Sequence, residues 1–334
     1  MNIKKMLGLA MILGIVSVGL LISIRDPMFL FRTGKGKDIN VTVVLETTNP
    51  RSDFWQTVGA GVRMAAKEYG VPAVIRGMSG GSQGNDQIQL IEDIASSRPD
   101  ALVIAPLDCL QLEPVIGQLR KSGIPIVTID SFENRCQSDY LIAMNHIESG
   151  EKGGRVLTEL LPPDSRVAVI HCTKGQAGPA ELERKQGVMQ QLYSSAGIKD
   201  VQFHACEGDE DQAYELVKQL LAKDTEIGGI VGINDTAALG AGRAIKEDSA
   251  FHHVKLVALD TTIYVTKLLE EGVVQAAIVP KPFNIGYLSM QTAVQLARKE
   301  KTVPMIEVDT LVATKENMYS QENQASLFPF LGNR

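Results

Sequence analysis

From Ile39 to Ala313 the chain alternates short apolar runs with helical patterns, and that alternation admits few folds. Ile39–Leu45 is a β-branched run. In the next segment Phe54, Val58, Val62, Ala65 and Tyr69 recur at three- or four-residue spacing and mark one apolar helix face, which Gly70 ends. Ala73–Arg76, Ala101–Ala105 and Ile126–Ile129 read as strands, with helices from Asp86 to Ser97 and from Leu112 to Ser122 between them. The alternation starts again at Tyr140–Met144 and continues through strands at Val167–His171, Val201–Ala205, Ile230–Ile233, Leu256–Leu259 and Gln275–Val279. A last extended run is Met305–Ala313, and the tail beyond Met318 has no assigned structure. Continuous apolar strands between helices imply parallel sheets covered on both faces. One such sheet is exhausted by about a hundred residues, so two consecutive sets imply two lobes.

The stretch Gly228–Ile245 shows where the chemistry should lie. A buried strand turns on Asn234 and Asp235 into a helix rich in small residues, with Asp235 a natural N-cap. Other polar residues also follow strands: Asp53, Asp108, Asp130, Asn145 and Asp260. In open parallel sheets ligands bind outside the carboxyl ends of strands, so two such edges facing one another would form a shared cleft. Asn234 and Asp235 fit either a capping role or a ligand-binding one.

Lys4 and Lys5 precede an uncharged apolar run from Met6 to Ile24, ended by Arg25-Asp26-Pro27. A helix needs roughly 20 residues to cross a bilayer. The lysines should stay in the cytoplasm, leaving the remainder outside. No small-residue cleavage site and no nearby cysteine follow the run, so an uncleaved signal anchor is expected rather than a cleaved peptide or a lipid anchor. The cell membrane, single-pass, with an extracytoplasmic domain, is the implied location. Cys109, Cys136, Cys172 and Cys206 are compatible with two disulfides, Cys109–Cys136 and Cys172–Cys206, or with four free thiols. A net charge of −6 without a basic stripe argues against nucleic acid. His171 and Cys172, adjacent on a strand, point to opposite faces and do not converge on one metal ion. No catalytic triad or nucleotide loop is present in the sequence, and no enzyme activity or cofactor is expected.

From Ile39 to about Lys315 these features together resemble the periplasmic sugar-binding proteins related to the ribose- and galactose-binding proteins, whose fold the lactose-repressor core shares. The resemblance implies an aromatic pair stacking on a sugar, Phe54 and Trp55. It implies an Asp after the fourth strand, Asp130, and an Arg three residues before a Gly, Arg184 with Gly187. It implies Asn234 facing the ligand and Asp260 after Leu256–Leu259. Sugar C–H faces suit aromatic rings, and sugar hydroxyls suit carboxylates, amides and guanidinium groups. Two positions depart from the family pattern: Ser131 replaces an Arg, and Pro280, followed by Lys281, replaces a Gln. Arg51, Asn49, Glu133 and Asn145 are candidates to compensate.

The implied architecture is two doubly wound parallel-sheet lobes joined by a three-strand hinge, after one N-terminal transmembrane helix. The segments are an anchor at 1–25, a linker at 26–37, a first lobe of 38–143 plus 281–308, a second of 144–280 plus 309–318, and a tail at 319–334. The implied function is binding of a small sugar or sugar-like solute between closing lobes. The output is delivery to an ABC permease or contact with a sensor histidine kinase; a permanent anchor suits a receptor held beside its partner. A regulator of the lactose-repressor type would need a helix-turn-helix where the apolar run stands. An enzyme on the same fold is the third class.

Overall fold

The computed structural model describes residues 39–50, 52–78, 84–129, 139–175 and 177–328. The expectations for the Met6–Ile24 run, Arg51, Asp130, Ser131, Glu133 and Cys136 fall outside these residues. Among the described residues no helix is long and apolar enough to cross a membrane.

The first set of elements is β1 (Val41–Thr47), α1 (Asp53–Tyr69), β2 (Ala73–Met78), α2 (Gly84–Ser97), β3 (Ala101–Ile104), α3 (Cys109–Lys121), β4 (Ile126–Ile129) and β5 (Tyr140–Ala143). The second is α4 (His146–Leu160), β6 (Ser165–Thr173), α5 (Pro179–Ser194), β7 (Ile198–Glu207), α6 (Glu210–Lys223), β8 (Ile227–Gly232), α7 (Asp235–Glu247), β9 (Lys255–Ala258), α8 (Ile263–Glu271) and β10 (Ala276–Val279). Then follow α9 (Pro282–Ala297), β11 (Met305–Glu307), β12 (Leu311–Thr314) and α10 (Gln321–Leu327).

The strands form two six-stranded sheets with the same plan, β11-β5-β4-β3-β1-β2 and β12-β10-β9-β8-β6-β7. All pairs run parallel except β10 with β12, which is antiparallel. The chain leaves the first sheet after β5, leaves the second after β10, and returns to it between β11 and β12. The single extended run expected at Met305–Ala313 is therefore two strands of different sheets. Val308, Asp309 and Thr310 make the crossing between them.

Strand β6 shows why these sheets read as continuous apolar runs. Val167 and Val169 enter one core, with Val188 and Leu192 of α5. Ala168, Ile170 and Cys172 enter the other, with Ala213 and Val217 of α6. Both faces are buried, so Val167 to Ile170 are apolar without alternation. Cys172 and Cys206 are register partners on β6 and β7 and form a disulfide. Cys109 is disulfide-bonded as well.

Two boundaries differ from expectation. Helix α3 starts at Cys109 rather than Leu112, because Asp108 accepts from the Leu110 and Gln111 amides at 2.9 and 3.2 Å. Pro114 thus lies inside the helix, in its second turn, and the Leu110 carbonyl goes without the intrahelical N–H that another residue there would supply. The tail beyond Met318 folds as α10, and Leu327 is buried in the second lobe's core beside Met318.

Candidate functional site

In each sheet the first and third strands of the set lie side by side, and their connections part to opposite faces at the carboxyl edge. In the second sheet Asn234 spans this point, between the ends of β6 and β8. Its Oδ1 accepts from the Ala237 amide at 3.0 Å. Its Nδ2 donates to the Cys172 carbonyl at 2.9 Å and to Oε1 of Glu181 at 2.7 Å. Asn234 is thus the N-cap of α7, and the cap expected at Asp235 moves back by one residue. Asp235 opens the helix, and its Oδ1 accepts from the Thr236 amide at 2.8 Å.

Glu181 stands in the first turn of α5 and accepts from the Gly178 amide at 3.0 Å, closing the helix start. Nε2 of His171 lies 3.2 Å from its Oε2, an ion-pair distance but out of line for a hydrogen bond. Burial pushes the Glu181 carboxyl up. His171, Asn234 and the Gly178 amide outweigh burial and hold it below the usual glutamate value.

Arg184 follows on the same helix. Its height over the sheet edge is set by a glycine contact between α4 and α5. A Cβ on Gly150 would collide with the Arg184 carbonyl, and one on Gly187 with the Ile147 carbonyl. Backbones approach this closely only where side chains are absent. The spacing of Arg184 and Gly187 thus has a physical content: the glycine seats the helix and the arginine, one turn earlier, reaches the edge. The first lobe repeats the device, with Gly61 of α1 against the Phe283 carbonyl and Gly286 of α9 against that of Val58.

Nη1 of Arg184 donates to Oδ2 of Asp260 and to the Leu259 carbonyl, both at 3.2 Å. The Asp235 carboxyl is pushed up by burial and then by the charge of Asp260, against the pull of the Thr236 bonds and of Arg184. Arg184, Asp235 and Asp260 are therefore one electrostatic group. A small cavity beside Arg184 is also lined by Met144, Ser149, Leu259, Ile278, Pro280 and Thr310. Met144, Pro280 and Thr310 belong to the three crossings between the sheets, so this group sits where the lobes join.

On the first lobe, Phe54 and Trp55 open α1, their rings edge to face with centroids 5.0 Å apart. Trp55 is 7% exposed, whereas Phe54 is only half-buried. Ser52 holds the N-cap position of this helix without a side-chain bond. Asn49 is exposed just after β1, with its amide on Thr47 Oγ1 at 3.0 Å. Asn145 caps α4, accepting from the Glu148 amide at 3.0 Å. Of the expected residues, Arg184, Asn234, Asp260 and Pro280 gather at the second lobe's edge and the crossings. Asp130 and Ser131 lie outside the described residues.

Glu181 was not singled out from sequence, His171 was considered only as a metal ligand, and Asp235 was left between a capping and a ligand-binding role. Glu181 had a legible signal, an acidic residue three positions after a helix-opening Gly178. Among the described residues no group of three or more His, Cys, Asp or Glu is arranged to hold a metal ion.

Residues 43–301 match the periplasmic binding protein domain family. The chain is 25% identical over 289 residues to the D-allose-binding periplasmic protein of Escherichia coli, covering 82% of this chain and 91% of that one. It is 21% identical to the ribose import binding protein of Bacillus subtilis, covering 88% and 94%. A solute-binding protein of an ABC transporter from Burkholderia graminis, solved with D-arabinose, superposes with a TM-score of 0.74 at 25% identity, covering 86% of this chain and 99% of that one. The shared two-lobe α/β plan and the extent of the match fix the assignment: this chain belongs to the periplasmic binding protein domain family.

Proposed function

We propose that this protein is an extracytoplasmic sugar-binding protein that holds a small sugar or sugar-like solute between its two lobes and delivers it to an ABC-type permease. The observation that carries the reading is the Arg184–Asp260 pair, with Asp235, at the carboxyl edge of the second sheet beside all three crossings. A charged donor and two carboxylates at one edge suit a ligand made of hydroxyl groups, which both donate and accept. Phe54 and Trp55 at the corresponding corner of the first lobe offer an apolar face for sugar C–H groups. Asp130, which the resemblance implies as a sugar contact, lies outside the described residues. The relatives support the class, since an allose-binding protein, a ribose import binding protein and a solute-binding protein solved with D-arabinose are among them.

Lobes linked by three short crossings close over a ligand by a hinge motion. A second output, contact with a membrane sensor kinase, draws support from the apolar Met6–Ile24 run, which would tether the receptor beside a partner. The deciding test is a thermal-shift screen of D-ribose, D-allose, D-xylose, D-arabinose and D-fucose. A bound sugar raises the melting temperature by mass action. No shift with any of them, confirmed by calorimetry, removes the sugar reading. Neighbouring genes for a permease and ATPase, or for a kinase and response regulator, separate the two outputs.

A further inference from the structure

The chain enters the domain at the amino edge of the first sheet, opposite the edge that carries the site. Register places Asn40, Pro72, Asp100, Pro125, Asp139 and Pro304 along it, each one residue before its strand. The Asn40 amide donates to Oδ2 of Asp100 at 3.0 Å, and its carbonyl accepts from the Asp100 amide at 2.9 Å, so the entering chain is fixed there. The linker at 26–37, which itself carries Arg32, Lys35 and Lys37, joins this edge to the apolar Met6–Ile24 run.

The turns on this edge are basic, although the chain as a whole carries a net charge of −6. Arg98, Lys121, Arg298, Lys299 and Lys301 are exposed there. Among the described residues, no carboxylate is ion-paired with Arg98, Lys121, Lys299 or Lys301. Asp100 and Glu300 offset part of this charge, Lys67 and Glu68 cancel, and Asp139 is paired with Arg120 at 2.7 Å. Helix C-termini favour basic residues through their dipole. The second lobe's helices end at the equivalent edge among carboxylates, however: Asp164 precedes β6, and Asp200, Asp224 and Glu226 surround Arg166. Arg98 and Lys299 also stand where the backbone prefers glycine. Gly70 and Gly123 lie just past α1 and α3 at φ 64° and 79°, and Arg98 and Lys299 lie just past α2 and α9 in the same left-handed region at 48° and 61°. A side chain in that region costs free energy that glycine avoids. On the loop that Lys301 opens, Val303 is 55% exposed.

Resting on the tethered form of the reading above, we infer that the amino edge of the first lobe is a docking face for an anionic phospholipid surface. Arg98, Lys121, Arg298, Lys299 and Lys301 meet the headgroup phosphates, and Val303 enters the boundary between headgroups and acyl chains. The carboxyl edge of that sheet then points away from the bilayer. The first lobe is held, and the second is free to swing about the crossings as the lobes close. The attraction is between surface charges, so salt screens it.

The test uses the full chain reconstituted in vesicles of phosphatidylcholine, with and without phosphatidylglycerol, and reads acetylation of individual lysines by mass spectrometry. Flotation with phosphatidylcholine vesicles checks the tether by itself, since those lipids carry no net charge. Phosphatidylglycerol should slow acetylation of Lys121, Lys299 and Lys301 by about fivefold, the effect of one basic residue near an anionic surface. Lys199 and Lys223, exposed at the second lobe's equivalent edge, should be unchanged. High salt should abolish the difference. In the double variant Arg98→Gln/Lys299→Gln, checked for native circular dichroism, protection of Lys121 and Lys301 should shrink towards the phosphatidylcholine value; should that variant misfold, the wild-type lysines and their salt dependence carry the test alone. Equal acetylation in the two kinds of vesicle, equal protection of Lys199 and Lys223, or undiminished protection in the folded double variant overturns the docking face and leaves the tether standing. A full chain that does not float with phosphatidylcholine vesicles overturns the tether and this inference with it.

Discussion

Nη1 of Arg184 lies 3.2 Å from Oδ2 of Asp260, although the two residues are 76 positions apart and sit on different corners of the second sheet. The arginine side chain is largely buried, and the same nitrogen satisfies the Leu259 carbonyl. One side chain thus ties the start of α5 to the turn after β9. Arg184→Ala should cost stability of about 1.5–3 kcal/mol, the range for hydrogen bonds to charged groups. It should also abolish sugar binding. Urea unfolding and calorimetry on the same sample check both, and a variant that binds normally would remove Arg184 from the site.

The aromatic pair divides its work. Trp55 is nearly sealed, and Phe54 covers it edge-on from the more open side. Trp55→Ala should leave a cavity and destabilise the first lobe by about 3–5 kcal/mol. Phe54→Ala should cost far less stability and weaken sugar binding. Equal losses of stability in the two variants would show that both rings serve the core alone.

Cys172 is fully buried under α6, and its disulfide to Cys206 closes a loop with a sequence separation of 34. Its carbonyl also accepts from Asn234, so the crosslinked strand end supports the N-cap of α7. Replacing both cysteines with alanine should lower stability by about 3–4 kcal/mol through the freed unfolded chain. The urea midpoint of the double variant measures this, with dithiothreitol on the wild type as a parallel. Indistinguishable midpoints would mean that the bond contributes little to the fold.

The sheets were legible in the sequence because burial on both faces leaves strands with one unmixed signal. Arg184 and Gly187 were legible as a motif, and the structure supplies the reason in the contact of Gly187 with the Ile147 carbonyl. The role of Asn234 was not legible. Its partners, Cys172 and Glu181, are 62 and 53 residues away, and no local pattern announces a side chain that three groups share. The cap at Asp108 was hidden for a different reason. The expected start at Leu112 followed the apolar period, which Leu110 and Gln111 do not join, and it left out the turn that the Asp108 side chain closes. Helix α10 lacks a clear apolar period because it is two turns long and buries little beyond Leu327.

The third crossing carries two carboxylates that respond to pH in opposite senses. Glu307 ends β11 on the first sheet, and burial, then Glu148 of α4, pushes its carboxyl up, with Asn145 opposing. Asp309, two residues on, is hydrogen-bonded and ion-paired to Lys152 of α4, which holds its carboxyl below the usual range. For Glu307 the native state binds a proton more tightly than the unfolded chain does. Its ionisation therefore costs stability as pH rises from the unfolded glutamate value of about 4.3 through the raised native value. For Asp309 the sign reverses: its contribution is present above the unfolded aspartate value of about 3.9 and is lost as pH falls through the lowered native one. Glu307→Gln should then raise the melting temperature at pH 7 and do little at pH 3.5. Asp309→Asn should lower it at pH 7, with the deficit shrinking on acidification. Differential scanning calorimetry across that range checks both. Shifts of the same sign in the two variants at pH 7 would mean that Lys152 does not discriminate between these neighbours, and that the charge on the crossing is set by solvent rather than by the α4 contacts.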